Sequence, residues 1–246
     1  RNLIIDNIQT ITDLYADQGY AFVEVSPKTS DILNSVNISF FITLNKKVYV
    51  NRIMISGNTR TQDEVIRREI GISEGGLYSR SNLRRSILNL RRLGYFSDVI
   101  MESSKVEGVP DKINLSFIVK ETQTGAVSFS VSHSNNYGIS LGAGIQEKNI
   151  FGSGNTLNAD LKISKSFNKV SFFFRNPNYN EKNHSISVGA FRSEIHNDDI
   201  SKDSYEIDST GLTLGYGIPL SEDTRINTGL EYSKNDIKCS SLFSSS

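Results

Sequence analysis

The sequence predicts α+β modules followed by an antiparallel sheet of membrane-spanning strands. Three observations carry this. The apolar residues follow a helical period at several places before residue 122, they follow a period of two from Thr124 to about Asn235, and the first part contains an internal repeat.

The elements of the first part follow in order. Ile4, Ile8, Ile11 and Tyr15 fall at i, i+4, i+7 and i+11, one face of a helix, and Gly19 supplies its stop. A strand is expected at about Tyr20 to Val25, another through Val36, Ile38, Phe40 and Ile42, and a third through Val48, Val50, Ile53 and Ile55, ended by Gly57-Asn58. Thr61-Gln62-Asp63-Glu64 has the form of a capping box and opens a helix expected to stop near Gly71. Leu83, Ile87 and Leu90 mark a further helix, stopped at Gly94, and strands at Tyr95–Glu102 and Ile113–Val119 complete the module.

Leu14-Tyr15-Ala16-Asp17-Gln18-Gly19-Tyr20-Ala21-Phe22 recurs in outline as Asn89-Leu90-Arg91-Arg92-Leu93-Gly94-Tyr95-Phe96, with the two glycines 75 residues apart and Val36 and Ile113 77 apart. Each unit is then strand–helix–helix–strand–strand, and the first copy lacks its opening strand and helix. The expected domains are residues 1–45, the end of one module; 47–121, a complete one; and 122–246, the strand region. The chain reads as a fragment that starts within a module.

In the strand region every second residue is apolar: Val127, Phe129, Val131; Ile139, Leu141, Ala143, Ile145; Leu157, Ala159, Leu161, Ile163; and so on to Ile226, Thr228, Leu230, Tyr232. The residues between are polar or glycine. Period two puts the apolar set on one face of each strand, and seven such strands match the signature of a transmembrane β-barrel.

Composition excludes little. Lysine plus arginine (27) equals aspartate plus glutamate (27), so net charge gives no argument for a nucleic-acid partner. One cysteine, Cys239, rules out an intrachain disulfide and a multi-cysteine metal site. No apolar run is long enough for a membrane helix. The opening Arg1-Asn2-Leu3 has no basic-then-apolar run, so any secretory signal is expected upstream.

Gly57-Asn58 after one strand and Leu93-Gly94-Tyr95-Phe96 after the second helix resemble a POTRA domain. Two such units running into alternating strands are similar to BamA-type outer-membrane assembly factors. Asn149-Ile150-Phe151-Gly152-Ser153-Gly154-Asn155 and Arg175-Asn176-Pro177-Asn178-Tyr179 resemble two of that family's turns between barrel strands. The resemblance implies a βααββ POTRA fold followed by the first seven strands of a larger barrel in the outer membrane of a Gram-negative-type bacterium, with the POTRA domains in the periplasm. It implies assembly and insertion of β-barrel proteins. The partners would be unfolded outer-membrane protein clients, outer-membrane lipoproteins of an assembly complex and the lipid bilayer, with no cofactor and no nucleic acid. The alternatives are a POTRA-containing translocation or secretion pore and a small passive β-barrel pore. On the same analogy the turns after strands two, four and six are periplasmic and short. The loop from His196 to Ser204, with Asp198, Asp199, Lys202 and Asp203, lies outside.

The candidate site is backbone rather than side chain. The first barrel strand resembles the family's seam strand, and the residues implied are Gly125, Ala126, Val127, Ser128, Phe129, Ser130, Val131 and Ser132, with Val127, Phe129 and Val131 toward lipid and the serines toward the lumen. An open edge there, or on a POTRA sheet, offers unpaired N–H and C=O groups to an extended client. Glu74, in the loop between the two helices of the complete module, resembles the family's acid that meets a lipoprotein partner; the plain reading is an exposed loop acid. Arg80, Arg84, Arg85, Arg91 and Arg92 read as a solvated basic face, with lipid headgroups or an acidic partner as the alternative use. Gly138-Ile139-Ser140-Leu141-Gly142 matches the hydrolase elbow pattern, but it falls inside an alternating strand with no helix after it. His133, His184 and His196 have no metal-ligand spacing and read as solvated. No catalytic constellation is present, and no enzyme is expected.

Overall fold

The computed structural model describes residues 2–32, 35–135, 138–180, 182–197, 204–221 and 224–240. The chain divides into two compact units, Arg1–Gln123 and Thr124–Ser246.

The first unit opens with α1 (Asn2–Asp17), then β1 (Glu24–Ile32) and β2 (Ser35–Thr43), which pair antiparallel. Gly19, at φ 97°, ends the helix in a left-handed conformation. The strand expected at Tyr20 begins four residues later, because Tyr20 to Val23 form a turn, and it runs on to Ile32. Then come β3 (Tyr49–Ser56), α2 (Asp63–Arg67), α3 (Arg80–Arg92), β4 (Phe96–Val106) and β5 (Val109–Glu121). β5 lies between the other two strands, parallel to β3 and antiparallel to β4. The order α1–β1–β2 thus repeats as α3–β4–β5, as the sequence repeat requires.

Alternation along β5 explains the core. Ile113, Leu115, Phe117 and Val119 turn to one face and are buried, together with Val50, Ile66, Leu83, Leu90 and Val99 from the elements around them. Leu83, Ile87 and Leu90 are the apolar stripe of α3, and its N-terminal turn is capped by Ser79, whose Oγ accepts the N–H of Asn82 at 3.2 Å.

The capping box expected at Thr61 does not form. The N-cap of α2 is Gln62, and the helix is one short turn ending well before Gly71. The acid that serves this loop comes from β5 instead: Glu121 accepts the N–H of Thr61 at 2.7 Å, the N–H of Arg60 at 3.1 Å and the hydroxyl of Thr59 at 2.8 Å. A carboxylate reached from across the sheet displaced the local candidate, Glu64, which spacing alone could not foresee.

The second unit is one antiparallel sheet of seven strands: β6 (Gly125–Ser134), β7 (Gly138–Ile150), β8 (Asn155–Ser164), β9 (Phe167–Asn176), β10 (Ser185–Asn197), β11 (Ser204–Pro219) and β12 (Arg225–Ser240). They pair in sequence order from β6 to β12, each with its neighbour, and the sheet is not closed. The expected outer loop acids at 198–203, like Glu222, lie outside the described residues.

This sheet inverts a soluble core. Among the described residues every buried apolar one belongs to the first unit, while the buried side chains of the sheet are polar: Ser140, Asn149 and Ser185. The alternating apolar set is exposed instead, with Phe129 83% and Leu230 77% accessible. A continuous apolar face of this kind marks a surface that is covered in use, and alternation of this sort is the pattern of a lipid-facing barrel sheet. Phe173 and Phe191 break the expected polar face, and so does the in-register row Phe167, Ile195, Ile207 and Ile237. A Cβ on Gly211 would sit 2.4 Å from the Phe191 ring, so that glycine leaves room for an aromatic on the inner face.

Candidate functional site: open sheet edges

Strand edges carry the chemistry here, so each is considered from its backbone outward. β3 is an edge of its sheet, but residues 74–78 cover it. Val50 N–H donates to Gly76 O at 2.9 Å, Val50 O accepts from Gly75 at 2.7 Å, and Val48 O accepts from Tyr78 at 3.0 Å. Farther along, Ile53 N–H donates to Glu74 Oε1 at 2.8 Å. Glu74 is therefore exposed, as expected of a loop acid, and also a lid on β3. β1 is blunted differently. Pro27 sits in its middle, opposite Phe40, and supplies no N–H.

β4 has no proline. The N–H and C=O of Val99 are held by side chains, Asp98 Oδ1 at 2.8 Å and Arg91 Nη2 at 3.2 Å. Both groups of one strand residue point the same way, so Val99 faces the outer edge, and by period two so do Met101 and Ser103. On the helix-free face Ile100 lies opposite Ile118 in register, and both are exposed. Among the described residues, this is the open edge of the complete module's sheet.

Among the described residues the seven-stranded sheet has two open edges: β12, which pairs only with β11, and β6, which pairs only with β7. The range of β6, Gly125–Ser134, and its alternation are as read from the sequence: Val127, Phe129 and Val131 are 64%, 83% and 75% exposed on the apolar face. On the inner face its serines lean over glycines. A Cβ on Gly142 would lie 2.4 Å from Ser130 Oγ, and one on Gly144 would lie 2.8 Å from Ser128 Oγ. Small residues facing one another leave a trough of about 310 Å³ beside the strand, bounded farther in by Asp160 and Lys169. Ser132 Oγ and Ser140 Oγ lie 2.8 Å apart, which tethers the far end of β6 to β7. Ser140 is thus a buried strand residue and not the tip of a strand-to-helix elbow.

The basic residues of α3 are not simply solvated. Arg80 and Arg84 reach Asp13 of α1 at 3.2 and 2.7 Å. Asp17 accepts the N–H of Ser81 at 2.8 Å and the hydroxyls of Ser79 and Ser81, which places an acid at the N-terminus of α3. Arg80 and Arg84 therefore join two modules and are not spare for headgroups. A signal was present: acids four apart on one helix, arginines four apart on another. Two of the three histidines are partnered too, His184 with the Tyr216 hydroxyl at 2.6 Å and His196 with Glu206 at 3.0 Å. Among the described residues no cluster of three metal-ligating side chains occurs.

Two family profiles match the chain. The POTRA family, described as surface antigen variable number repeat, covers residues 48–122, and the Omp85 superfamily domain covers residues 149–241. The chain carries a POTRA domain and an Omp85 superfamily domain match. An outer membrane protein assembly factor BamA of Nitratidesulfovibrio vulgaris is 31% identical to it over 239 residues, 95% of this chain and 30% of that protein. The BamA of Neisseria meningitidis serogroup B is 30% identical over 216 residues, 86% of this chain and 27% of that protein. The chain thus spans about a third of these relatives' length or less. In fold it is similar to a Haemophilus ducreyi BamA lacking POTRA domains 1–3, with a TM-score of 0.84 at 24% identity, over 97% of this chain and 45% of that one. A CdiB from Acinetobacter baumannii is similar with a TM-score of 0.60 at 15% identity, over 96% and 46%.

The Omp85 match begins at Asn149, at the end of β7 just before its turn to β8. There Asn149 is buried and its Oδ1 accepts the N–H of Gly154 at 2.7 Å, while Phe151, Gly152 and Gly154 take φ of 52°, 70° and 73°. Two of these left-handed positions need glycine, which accounts for the spacing of the motif. In the POTRA domain, Gly57 has φ 88°, and a Cβ there would lie 1.9 Å from Val119 O. The glycine allows β3 to turn against the end of β5.

Proposed function

We propose that this chain acts in assembling β-barrel proteins into the outer membrane, with its POTRA domains in the periplasm and its sheet in the bilayer. The carrying observation is the edge of β6: a membrane-facing strand with one neighbour, a smooth inner face of serine over glycine, and exposed apolar residues outward. In lipid an unpaired N–H or C=O costs several kcal/mol, so an incoming strand that pairs there removes that cost. Templating needs no covalent step. The residues that carry it are Gly125, Ala126, Val127, Ser128, Phe129, Ser130, Val131 and Ser132.

In this reading the POTRA edge β4 holds an extended client before it reaches the membrane. An outer-membrane lipoprotein of the assembly complex is a proposed partner at Glu74, which keeps one carboxylate oxygen beyond the bond to Ile53. Residues 1–45 are read as the end of the penultimate POTRA domain, 47–121 as the final one and 122–246 as the first barrel half. The second reading, a translocation pore, draws on the likeness in fold to CdiB, which is the weaker of the two.

Disulfide trapping tests the proposal. With Cys239→Ser as background, cysteines at Ser128 or Ser130 are expected to cross-link, in vesicles, to a cysteine in the last strand of a folding client barrel. Cysteines at Ser187 in β10 are not. Equal trapping at both strands, or none at β6, removes the templating role.

A further inference from the structure

We propose that Arg91 and Asp98 form a clasp over the β4 edge, withholding Val99 from an incoming strand and setting where pairing stops. The inference rests on the strand-addition reading of β4 given above and adds a control to that site.

Val99 is fixed from below. Its side chain is 2% exposed in the POTRA core, so its N–H and C=O cannot swing away from the edge. Both are occupied by charged side chains that meet around that edge. Arg91 extends from α3, on the core side of the sheet, and Asp98 precedes Val99 with its side chain on the opposite face by alternation. Their charged groups lie 3.7 Å apart, and each side chain is about half exposed, at 55% and 52%. A pair this open to water is weak and screened by salt, and so is displaceable. Natural sheets use charged groups on edges to refuse unwanted pairing.

Beyond the clasp the edge is free. Met101 and Ser103 face outward like Val99, and no side chain of the described residues holds their groups. Beside them the Ile100–Ile118 pair offers an apolar surface on the helix-free face. The ligand this edge fits is an extended segment of alternating apolar and polar residues. It pairs with Met101 and Ser103, packs one apolar side chain beside Ile100, and gains Val99 only when the clasp opens.

The test uses the whole chain in detergent micelles and a fluorescent nine-residue peptide of alternating valine and threonine, read by anisotropy and by hydrogen-exchange mass spectrometry, with empty micelles as control. Arg91→Ala and Asp98→Ala are each expected to tighten binding by about tenfold, the worth of added backbone hydrogen bonds, and to extend protection to Val99. Raising salt is expected to tighten binding to the native chain and to leave Arg91→Ala unchanged. Variants that bind as the native chain does, or more weakly, overturn the clasp. Ser103→Pro, which removes an outward N–H, is expected to abolish protection of β4. A peptide N-methylated at alternate residues gives the same loss without altering the protein. If the peptide protects only residues 125–134, the clasp falls while templating at the barrel stands; if it protects neither edge, both fall.

Discussion

The carboxylate of Asp17, at the end of α1, accepts the backbone N–H of Ser81 in the first turn of α3 at 2.8 Å. One module thus supplies an anion to the N-terminus of another module's helix, where unpaired N–H groups and the helix dipole favour negative charge. Gly19 is part of the same joint, since its carbonyl accepts Val48 N–H at 2.8 Å and a Cβ there would lie 2.6 Å from Leu77. Asp17→Ala is expected to destabilise the first unit by about 1 kcal/mol, the usual cost of losing a cap acceptor. Asp17→Asn, which keeps an acceptor, is expected to cost less. Urea unfolding of residues 1–123 followed by circular dichroism measures both.

Acid sensitivity follows from Glu121. Partial desolvation works to raise its pKa, but the N–H groups of Thr61 and Arg60 and the Thr59 hydroxyl win and lower it to about 2. A carboxyl whose folded pKa lies below its unfolded value stabilises the fold above the unfolded value, and that contribution is lost as pH falls toward 2. Asp13 and Asp17 are shifted downward as well, against desolvation, by their bonds to Arg84 and Arg80 and to Ser81 and Ser79. Glu121→Gln is expected to lower the melting temperature at neutral pH and to match the native chain near pH 2. A melting series from pH 7 to pH 2 on residues 1–123 decides it, and parallel curves would remove the role.

Periodicity made most of the fold legible. The apolar stripe of α3, the alternation of β5 and all seven membrane strands were readable because burial or lipid contact selects every second or every third to fourth residue. What was hidden depends on residues far apart in sequence. Glu64 looked like the cap of α2, yet Glu121 reaches the loop from 60 residues away. The arginines of α3 looked solvated, yet Asp13 lies 67 residues before Arg80 and beside it in space. Edge strands are the same case: alternation found β4, but only the folded chain shows which of its N–H groups side chains have already taken.

Gly57 tests the turn that closes the POTRA sheet. Its φ of 88° strains any L-residue, roughly 1–3 kcal/mol, and a Cβ would also strike the Val119 carbonyl at 1.9 Å. Backbone, unlike a flexible side chain, cannot move aside cheaply. Gly57→Ala is therefore expected to cost more than the strain alone. Gly75→Ala, also at positive φ but with open space around its Cβ, carries the strain alone. The difference between the two in urea unfolding isolates the contact, and equal losses would show that Val119 yields.

The sidedness of the sheet can be tested at two adjacent residues of β11. Leu214 belongs to the apolar face, is 56% exposed, and lies opposite Val188 and Leu230 on the neighbouring strands, so it sits within an apolar row. Thr213, one residue before, faces the other way, its hydroxyl lying over Gly189. If the apolar face meets lipid, Leu214→Lys takes a charge to the middle of the bilayer and is expected to cost roughly 2–4 kcal/mol. Thr213→Lys leaves its ammonium on the polar face, with only local crowding against Gly189. Urea-driven release from phospholipid vesicles, followed by the protease resistance of the strands, separates the two. A greater loss for Thr213→Lys would mean that the polar face is the one turned to lipid, and the outward-facing assignment of Val127, Phe129 and Val131 on β6 would reverse with it.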